Sequence, residues 1–239
     1  MIKVSKKRKK KKVLKVKNIL VFLTVLLLLI ALIYYILKMP IKNIYVLGNN
    51  IIPDNNIIEE SHLSNYPSFL LTSSYEIKNH LKKNKYIEKV EVNKKIGNII
   101  ELKITEYKVL AILEEENQVI LSNGNIVDNI YDKTDTPILI NAIDEKIFNN
   151  FISKFKKINN NILRQISQIE YSPTKVDNSR FLLYMNDGNL VYITLTKINK
   201  LNKYNKIKDN MNNNTGIIYL DSGDYIELKD NKTKITDDS

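Results

Sequence analysis

The 239-residue chain carries a formal net charge of +11 and contains no cysteine. Without cysteine, neither disulfides nor thiolate metal sites can stabilise it, and no thiol can serve as a nucleophile. Such a charge often indicates a phosphate-rich partner, but ten of the 37 Lys and Arg residues lie within residues 1–17, leaving 27 basic against 26 acidic residues. We therefore predict a basic tail over residues 1–18, a nearly neutral remainder, and no nucleic-acid partner.

An uncharged apolar run follows the tail and covers residues 19–37. At about 1.5 Å of rise per residue it spans roughly 28 Å, close to the hydrocarbon thickness of a bilayer. No small-residue cleavage site follows, which favours an uncleaved anchor over a signal peptide. The alternative is a buried core helix, which is normally shorter. The Lys/Arg excess before the run predicts a single-pass protein with its N-terminus in the cytoplasm and residues from Pro40 onward outside.

The segment after the anchor predicts five short elements. Residues 41–47 predict a strand and residues 53–60 a short helix, and Ser73 or Ser74 can cap a second helix. Two runs that alternate apolar and polar side chains then predict a hairpin, whose apolar positions are Val90, Val92, Ile100, Leu102 and Ile104. The predicted order is strand, helix, helix, strand, strand.

This order directly after an anchor resembles the polypeptide-transport-associated (POTRA) domain, in the form carried by the bacterial division proteins FtsQ and DivIB. Residues 44–49 resemble its opening motif, and residues 86–95 and 99–106 resemble its hairpin. The family's usual Trp-Pro is Ile96-Gly97 in this chain, and its Glu-Arg-x-Pro-x-Ala ending is replaced at residues 106–111. The resemblance implies a POTRA domain over residues 39–108.

The resemblance also implies a second, mostly β domain over residues 109–228. Its predicted elements are a hairpin at 120–127, a short segment at 136–140, a helix at 145–163, strands at 165–172, 180–185 and 190–196, a helix carrying Ile198, Leu201, Tyr204, Ile207 and Met211, and a closing strand at 216–221. The polar residues 229–239 are predicted to be a disordered tail. The predicted fold class is α+β: a transmembrane helix, a POTRA domain of order β-α-α-β-β, and a mixed, mostly antiparallel β domain.

Residues suited to catalysis or metal binding are few. His62 and His80 are the only histidines, and neither stands at a spacing typical of a metal pair or a catalytic dyad. Ser61 is next to His62 in sequence, which does not give triad geometry. The acidic residues 114–116 and the segment 221–224 are better explained as solvated turns than as cation sites. We predict no enzymatic activity, no metal and no cofactor.

A sheet with an unpaired edge can instead bind an extended segment of another protein by strand addition. The resemblance implies that the distal part of the β domain recruits two small membrane-anchored division proteins, FtsB (also DivIC) and FtsL. We assign this contact to the closing strand and the turn after it, at Ile217, Ile218, Tyr219, Asp221 and Tyr225. The alternative is that these residues only complete a core, as alternating apolar residues do in any closing strand.

The predicted function is therefore a non-enzymatic scaffold, concentrated at the division septum, that helps control septal cell-wall synthesis. Two other classes stay open. A POTRA-type component of a translocation system would bind unfolded polypeptide, although neither POTRA repeats nor barrel strands are evident. An anchored envelope enzyme would need a cluster of acids or metal ligands on loops of the second domain.

Overall fold

The computed structural model describes residues 16–130, 135–212 and 214–229, and it begins with a long apolar helix. Helix α1 spans Val16–Leu37, and none of its residues is buried. Among the described residues it is the one helix long and apolar enough to cross a membrane. It starts three residues before the predicted run, with Lys17 at its polar end. Most of the predicted basic tail and residues 230–239 of the predicted disordered tail lie outside the described residues.

A three-stranded sheet with two short helices follows α1. Its elements are β1 (Asn43–Leu47), α2 (Asp54–Glu60), α3 (Ser74–Leu81), β2 (Ile87–Lys95) and β3 (Ile99–Glu106). The strand order is β1-β3-β2, with β1 parallel and β2 antiparallel to the central strand. The predicted order of strands and helices is confirmed.

Side-chain alternation explains why the hairpin forms this sheet. Val90 pairs with Ile104 and Val92 with Leu102, so the apolar side chains of both strands lie on the face that the helices cover. At the start of α3 the Ser73 side chain accepts a hydrogen bond from a backbone N–H at 3.4 Å, which makes Ser73 the cap rather than its neighbour.

The second sheet has nine strands in the order β12-β11-β10-β9-β8-β7-β4-β5-β6. The strands are β4 (Val109–Leu113), β5 (Gln118–Leu121), β6 (Ile126–Asp128), β7 (Ile138–Leu139), β8 (Ile166–Tyr171), β9 (Arg180–Met185), β10 (Leu190–Thr194), β11 (Gly216–Tyr219) and β12 (Tyr225–Leu228). Five of the eight neighbouring pairs are antiparallel, which confirms the predicted mixed, mostly antiparallel sheet.

The single helix predicted over residues 145–163 is wrong, because the chain forms two helices there. These are α4 (Glu145–Phe155) and α5 (Asn160–Leu163). Asn202 occupies the break: its side chain accepts a hydrogen bond from the Asn159 N–H at 2.7 Å and donates one to the Lys157 carbonyl at 3.2 Å. These bonds satisfy backbone groups that a continuous helix would have satisfied internally.

The next predicted helix is a 3₁₀ helix over Leu195–Lys203 that continues as α6 (Tyr204–Asp209). The buried apolar side chains Ile198, Leu201 and Tyr204 are three residues apart. Because a 3₁₀ helix has about three residues per turn, this spacing places all of them on one side. The predicted helix is therefore present, and its first part is a 3₁₀ helix rather than an α-helix.

The hydrophobic core of the three-stranded sheet continues into the second sheet. Val119, Leu121 and Val127 are buried in the same cluster as Leu81 and the β3 side chains. The Tyr86 hydroxyl also donates a 2.6 Å hydrogen bond to the backbone carbonyl of Asp128. The β6 end of the nine-stranded sheet is thereby packed against the first sheet, whereas α4 and the 3₁₀ helix cover a second core near its other end.

Candidate partner-binding edge

Strand β12 ends the nine-stranded sheet on the side far from the first sheet in strand order. All four of its residues are exposed, including the large apolar side chains of Tyr225, Ile226 and Leu228. Within the described part of the chain, no strand pairs with its outer edge. The N–H and C=O groups along that edge are therefore available to an extended segment of another protein.

Strand β12 was not predicted as a strand, and its presence changes the role of the predicted closing strand. Strand β11 pairs in parallel with β10 on one side and antiparallel with β12 on the other, so it is an interior strand. The expectation that β11 offers a free edge is therefore wrong. Ile218 points into the core and is 1% exposed, whereas Ile217 and Tyr219 are partly buried on the opposite face.

Tyr219 belongs to a ladder of aromatic rings that crosses three strands. Its ring stacks on Tyr192 of β10 at 5.4 Å between centroids and on Tyr225 of β12 at 4.4 Å. The Arg180 guanidinium lies 3.8 Å over the Tyr192 ring and closes the inner end of the ladder. The ladder ends at the exposed ring of Tyr225, which is the one predicted residue that lies on the edge strand itself.

Asp221 is engaged within the chain rather than exposed to a partner. Its carboxylate forms an ion pair with Arg180 at 2.7 Å, and both side chains are mostly buried. Burial alone would raise the pKa of Asp221, but hydrogen bonds from Arg180 and Ser222 outweigh it and hold the pKa below the ordinary value. Asp221 therefore holds the end of β11 against β9 through Arg180, and it stabilises the turn that leads to β12 through Ser222.

A buried polar network fixes the other end of β11. Asn189, which is 2% exposed, accepts a hydrogen bond from the Gly216 N–H at 2.9 Å and donates one to the Tyr204 hydroxyl at 2.9 Å. That hydroxyl donates to Asp187 at 2.8 Å. Burial is the largest of the effects that raise the pKa of Tyr204, so it stays protonated and able to donate. The network ties the β9–β10 turn, α6 and the start of β11 together.

Beside β12 lies a groove that the sequence analysis missed. Its apolar floor is formed by Ile207, Ile218, Leu220 and Ile226, and its rim carries Lys200, Lys203 and Lys206. Lys200 forms an ion pair with Asp224 in the turn before β12. The lysines are three residues apart, like the buried residues of the same segment, so the turn of the 3₁₀ helix places Lys200 and Lys203 in a row. This three-residue spacing of lysines is the one feature of the sequence that could have indicated the basic rim.

The other residues considered as site candidates lie elsewhere. The rings of His62 and His80 are 4.1 Å apart, a proximity that their sequence spacing did not show. Residues 114–116 lie in an exposed turn between β4 and β5, and residues 221–224 form the turn before β12. In the described ranges, no three His, Cys, Asp or Glu side chains are grouped so that they could hold a metal ion.

Comparison with known proteins agrees with this architecture. A sequence profile described as "POTRA domain, FtsQ-type" matches residues 39–107. Cell division protein DivIB of Bacillus subtilis (strain 168) is 31% identical over 193 residues, which cover 78% of this chain and 73% of that protein. The chain belongs to the DivIB family of cell division proteins. Its role therefore lies in cell division, and α1 fits the membrane anchor of a protein whose remaining domains are extracytoplasmic.

Further DivIB relatives match over similar stretches. The protein of Listeria monocytogenes serovar 1/2a is 28% identical over 200 residues, covering 78% of this chain and 72% of its own length. That of Bacillus cytotoxicus is 31% identical over 160 residues, covering 65% of this chain and 62% of its own length. A solved chain, the major extracytoplasmic domain of Geobacillus stearothermophilus DivIB, is 24% identical with a TM-score of 0.38; the alignment covers 46% of this chain and 98% of that one.

Proposed function

We propose that this chain is a non-enzymatic scaffold of the division septum, and that it binds other membrane-anchored division proteins of the FtsB/DivIC and FtsL type at strand β12. Through these contacts it helps to control septal cell-wall synthesis. The observation that carries the proposal is the exposed edge of β12, flanked by an apolar groove with a basic rim. The names of the relatives state a division role and no enzymatic activity.

Strand addition explains how such an edge would bind without special side chains. An extended partner segment placed beside β12 forms main-chain hydrogen bonds, and every second side chain of the segment points to the same face. On the groove side the segment would contact Ile226 and Leu228, which are partly exposed. Acidic side chains next to it would face Lys203 and Lys206 on the rim. The expected partner segment is therefore apolar and acidic.

The five residues assigned from the sequence take different parts in this proposal. Tyr225 contacts the partner directly, and Tyr219 supports its ring from behind. Ile217 lies on the tyrosine face of β11, whereas Ile218 and Asp221 hold that strand in place. The membrane anchors of both partners raise their effective concentration, so a modest affinity at one edge is sufficient.

The binding test compares two isoleucines at opposite ends of the same sheet. Ile226 of β12 and Ile126 of β6 are exposed to similar extents, 39% and 44%. We expect Ile226→Glu to weaken binding of the full chain, in lipid nanodiscs, to the extracytoplasmic part of its own FtsB/DivIC-type partner by about tenfold or more. Ile126→Glu should leave binding unchanged. Equal affinities for both variants and the parent would reject β12 as the partner site.

Localisation tests the division assignment separately. A fluorescent tag at the N-terminus leaves the extracytoplasmic part unmodified. We expect the parent to form a band at the division site in growing cells, and we expect the band to weaken with Ile226→Glu but not with Ile126→Glu. A uniform envelope signal of the parent throughout the cell cycle would contradict the septal role.

A further inference from the structure

Two segments of the first domain are hydrogen-bonded to the end of α1 and to the residues directly after it. The first is the loop 66–72, whose Ser68 hydroxyl donates a hydrogen bond to the carbonyl of Leu37, the last residue of α1. The Phe69 N–H donates to the Met39 carbonyl at 2.9 Å, and the Ile41 N–H donates to the Pro67 carbonyl at 3.0 Å. The loop is thus tied by three hydrogen bonds to the end of the anchor and the chain directly after it.

The second segment is the turn of the β2–β3 hairpin, residues 96–98. The Lys42 N–H donates to the Asn98 carbonyl at 2.8 Å, and the Asn98 side-chain amide donates to the Pro40 carbonyl at 3.0 Å. Lys94, just before this turn, donates to the Phe69 carbonyl at 2.6 Å and lies 5.1 Å over the Phe69 ring. The loop and the hairpin turn are therefore fixed to each other as well as to the chain that leaves the membrane helix.

Both segments expose large apolar side chains. Leu70, Leu71 and Ile96 are 51%, 67% and 101% exposed, although the hydrogen bonds above hold the backbone around them in place. Exposed apolar side chains are common singly, but a group of them on a fixed surface marks a contact with a protein or a membrane. Here the group lies next to the end of α1, where Tyr34 and Tyr35 are the kind of residues found at membrane interfaces.

We propose that the loop 66–72 and the hairpin turn 96–98 form a membrane-contacting face, in which Leu70, Leu71 and Ile96 insert into the outer leaflet beside α1. The occupant of this face is the lipid bilayer. The hydrogen bonds that hold the loop and the hairpin turn in place join them to residues 37–42, which are the part of the chain that emerges from the bilayer. Lys38 directly follows α1, Lys42 directly precedes β1, and Lys94 lies over the Phe69 ring. Their positive charges suit the phosphates of the lipid headgroups.

The consequence is a first domain that does not swing freely on its anchor. A contact on each side of the helix end would hold the three-stranded sheet in one orientation relative to the membrane plane. Since the core of that sheet continues into the nine-stranded sheet, the orientation passes to the β domain and limits the directions from which β12 can be reached. The inference concerns orientation at the membrane and stands whether or not β12 is the partner site.

The absence of cysteine in the chain makes the test direct. Single variants Leu71→Cys, Ile96→Cys and Val176→Cys are labelled with a nitroxide in the full chain, reconstituted in nanodiscs of phosphatidylglycerol and phosphatidylcholine. Val176 is the control for an aqueous position because it is 98% exposed and lies in the β8–β9 loop. Leu27→Cys, in the middle of α1, is the control for a position in lipid. All four side chains are more than half exposed, so the substitutions should not disturb folding.

The measured quantity is the collision rate of each nitroxide with molecular oxygen, which concentrates in lipid, and with a water-soluble nickel chelate. We expect positions 71 and 96 to show several-fold lower nickel accessibility than position 176 and an oxygen-to-nickel ratio approaching that of position 27. Nickel accessibility at 71 and 96 equal to that at 176 would place this face in water and would overturn the proposal. A water-exposed position 27 would overturn both the anchor and the proposal.

Discussion

The two ends of the nine-stranded sheet differ in whether another part of the chain covers them. At one end, β6 contributes the buried Val127 to a core shared with the first sheet, and its Asp128 carbonyl accepts the Tyr86 hydrogen bond. At the other end, all residues of β12 are exposed, and Ile226 lines the groove. The comparison shows how one chain covers one sheet end by packing its own first domain against it and leaves the other end exposed.

The largest expected difference between the ends is in the loss of stability when a leucine is truncated, because the leucine at one end is buried and the leucine at the other is exposed. Leu121→Ala removes a fully buried side chain at the β6 end and should lower the free energy of unfolding by about 2–5 kcal/mol. Leu228→Ala on β12, where the side chain is half exposed, should change it by about 0.5 kcal/mol or less. Urea unfolding of the full chain measures both. Equal losses would show that β12 is covered within the chain itself.

Two glycines test whether the first domain and the β12 end can be opened separately. An added Cβ would lie 2.5 Å from the Ile104 carbonyl oxygen at Gly48, which has φ +84°, and 2.3 Å from the Glu227 oxygen at Gly216. Gly48→Ala should therefore cost about 1–3 kcal/mol in the first domain. Gly216→Ala should displace β12 alone.

Hydrogen exchange distinguishes these two outcomes. With Gly216→Ala, amides of β11 and β12 should exchange faster while those of β2 and β3 keep the parent rates. With Gly48→Ala the pattern should reverse. Partner binding should fall only with Gly216→Ala, and retained binding in that variant would argue against strand addition at β12.

A smaller effect is expected from one hydroxyl group at each end. Tyr86→Phe removes the 2.6 Å hydrogen bond to the Asp128 carbonyl and should cost about 0.5–1.5 kcal/mol. Tyr225→Phe keeps the stacked ring and removes a hydroxyl from an exposed side chain, so its cost should be within about 0.5 kcal/mol. Thermal unfolding of the two variants gives the comparison, and a larger loss for Tyr225→Phe would contradict the assignment of the two ends.

The smallest effect depends on pH and concerns the β12 end. The folded chain holds the pKa of Asp221 below its ordinary value near 3.8, so the Arg180 ion pair stabilises above that pH. The stabilisation should be lost as pH falls through the lower folded pKa, because the unfolded chain then binds the proton more readily. Asp221→Asn should be less stable than the parent at neutral pH, and this difference should shrink in acid. The Tyr86→Phe difference, which involves a backbone carbonyl, should stay constant over the same range.

The sequence predicted the elements whose pattern is local. The uncharged run before Lys38 predicts α1, the alternation on either side of Gly97 predicts the β2–β3 hairpin, and a serine at 73 or 74 predicts the start of α3. In each of these cases one residue period or one cap decides the structure, so neighbouring residues alone carry the information. The relation to FtsQ and DivIB proteins followed from the order of these elements after an anchor.

Contacts between distant residues decided the rest. In the break between α4 and α5, Asn202 bonds to Asn159 and Lys157, which lie more than forty positions earlier in the chain. The proposed site residues on β11 were predicted from the alternating pattern of that strand. Such a pattern cannot show whether a strand has a neighbour on both sides. That β11 is interior and β12 is the edge depends on parallel pairing with β10 and on packing over the 3₁₀ helix. The alternation of side chains along a strand follows from the residues of that strand alone, whereas its position in the sheet is set by the free energy of packing the whole chain.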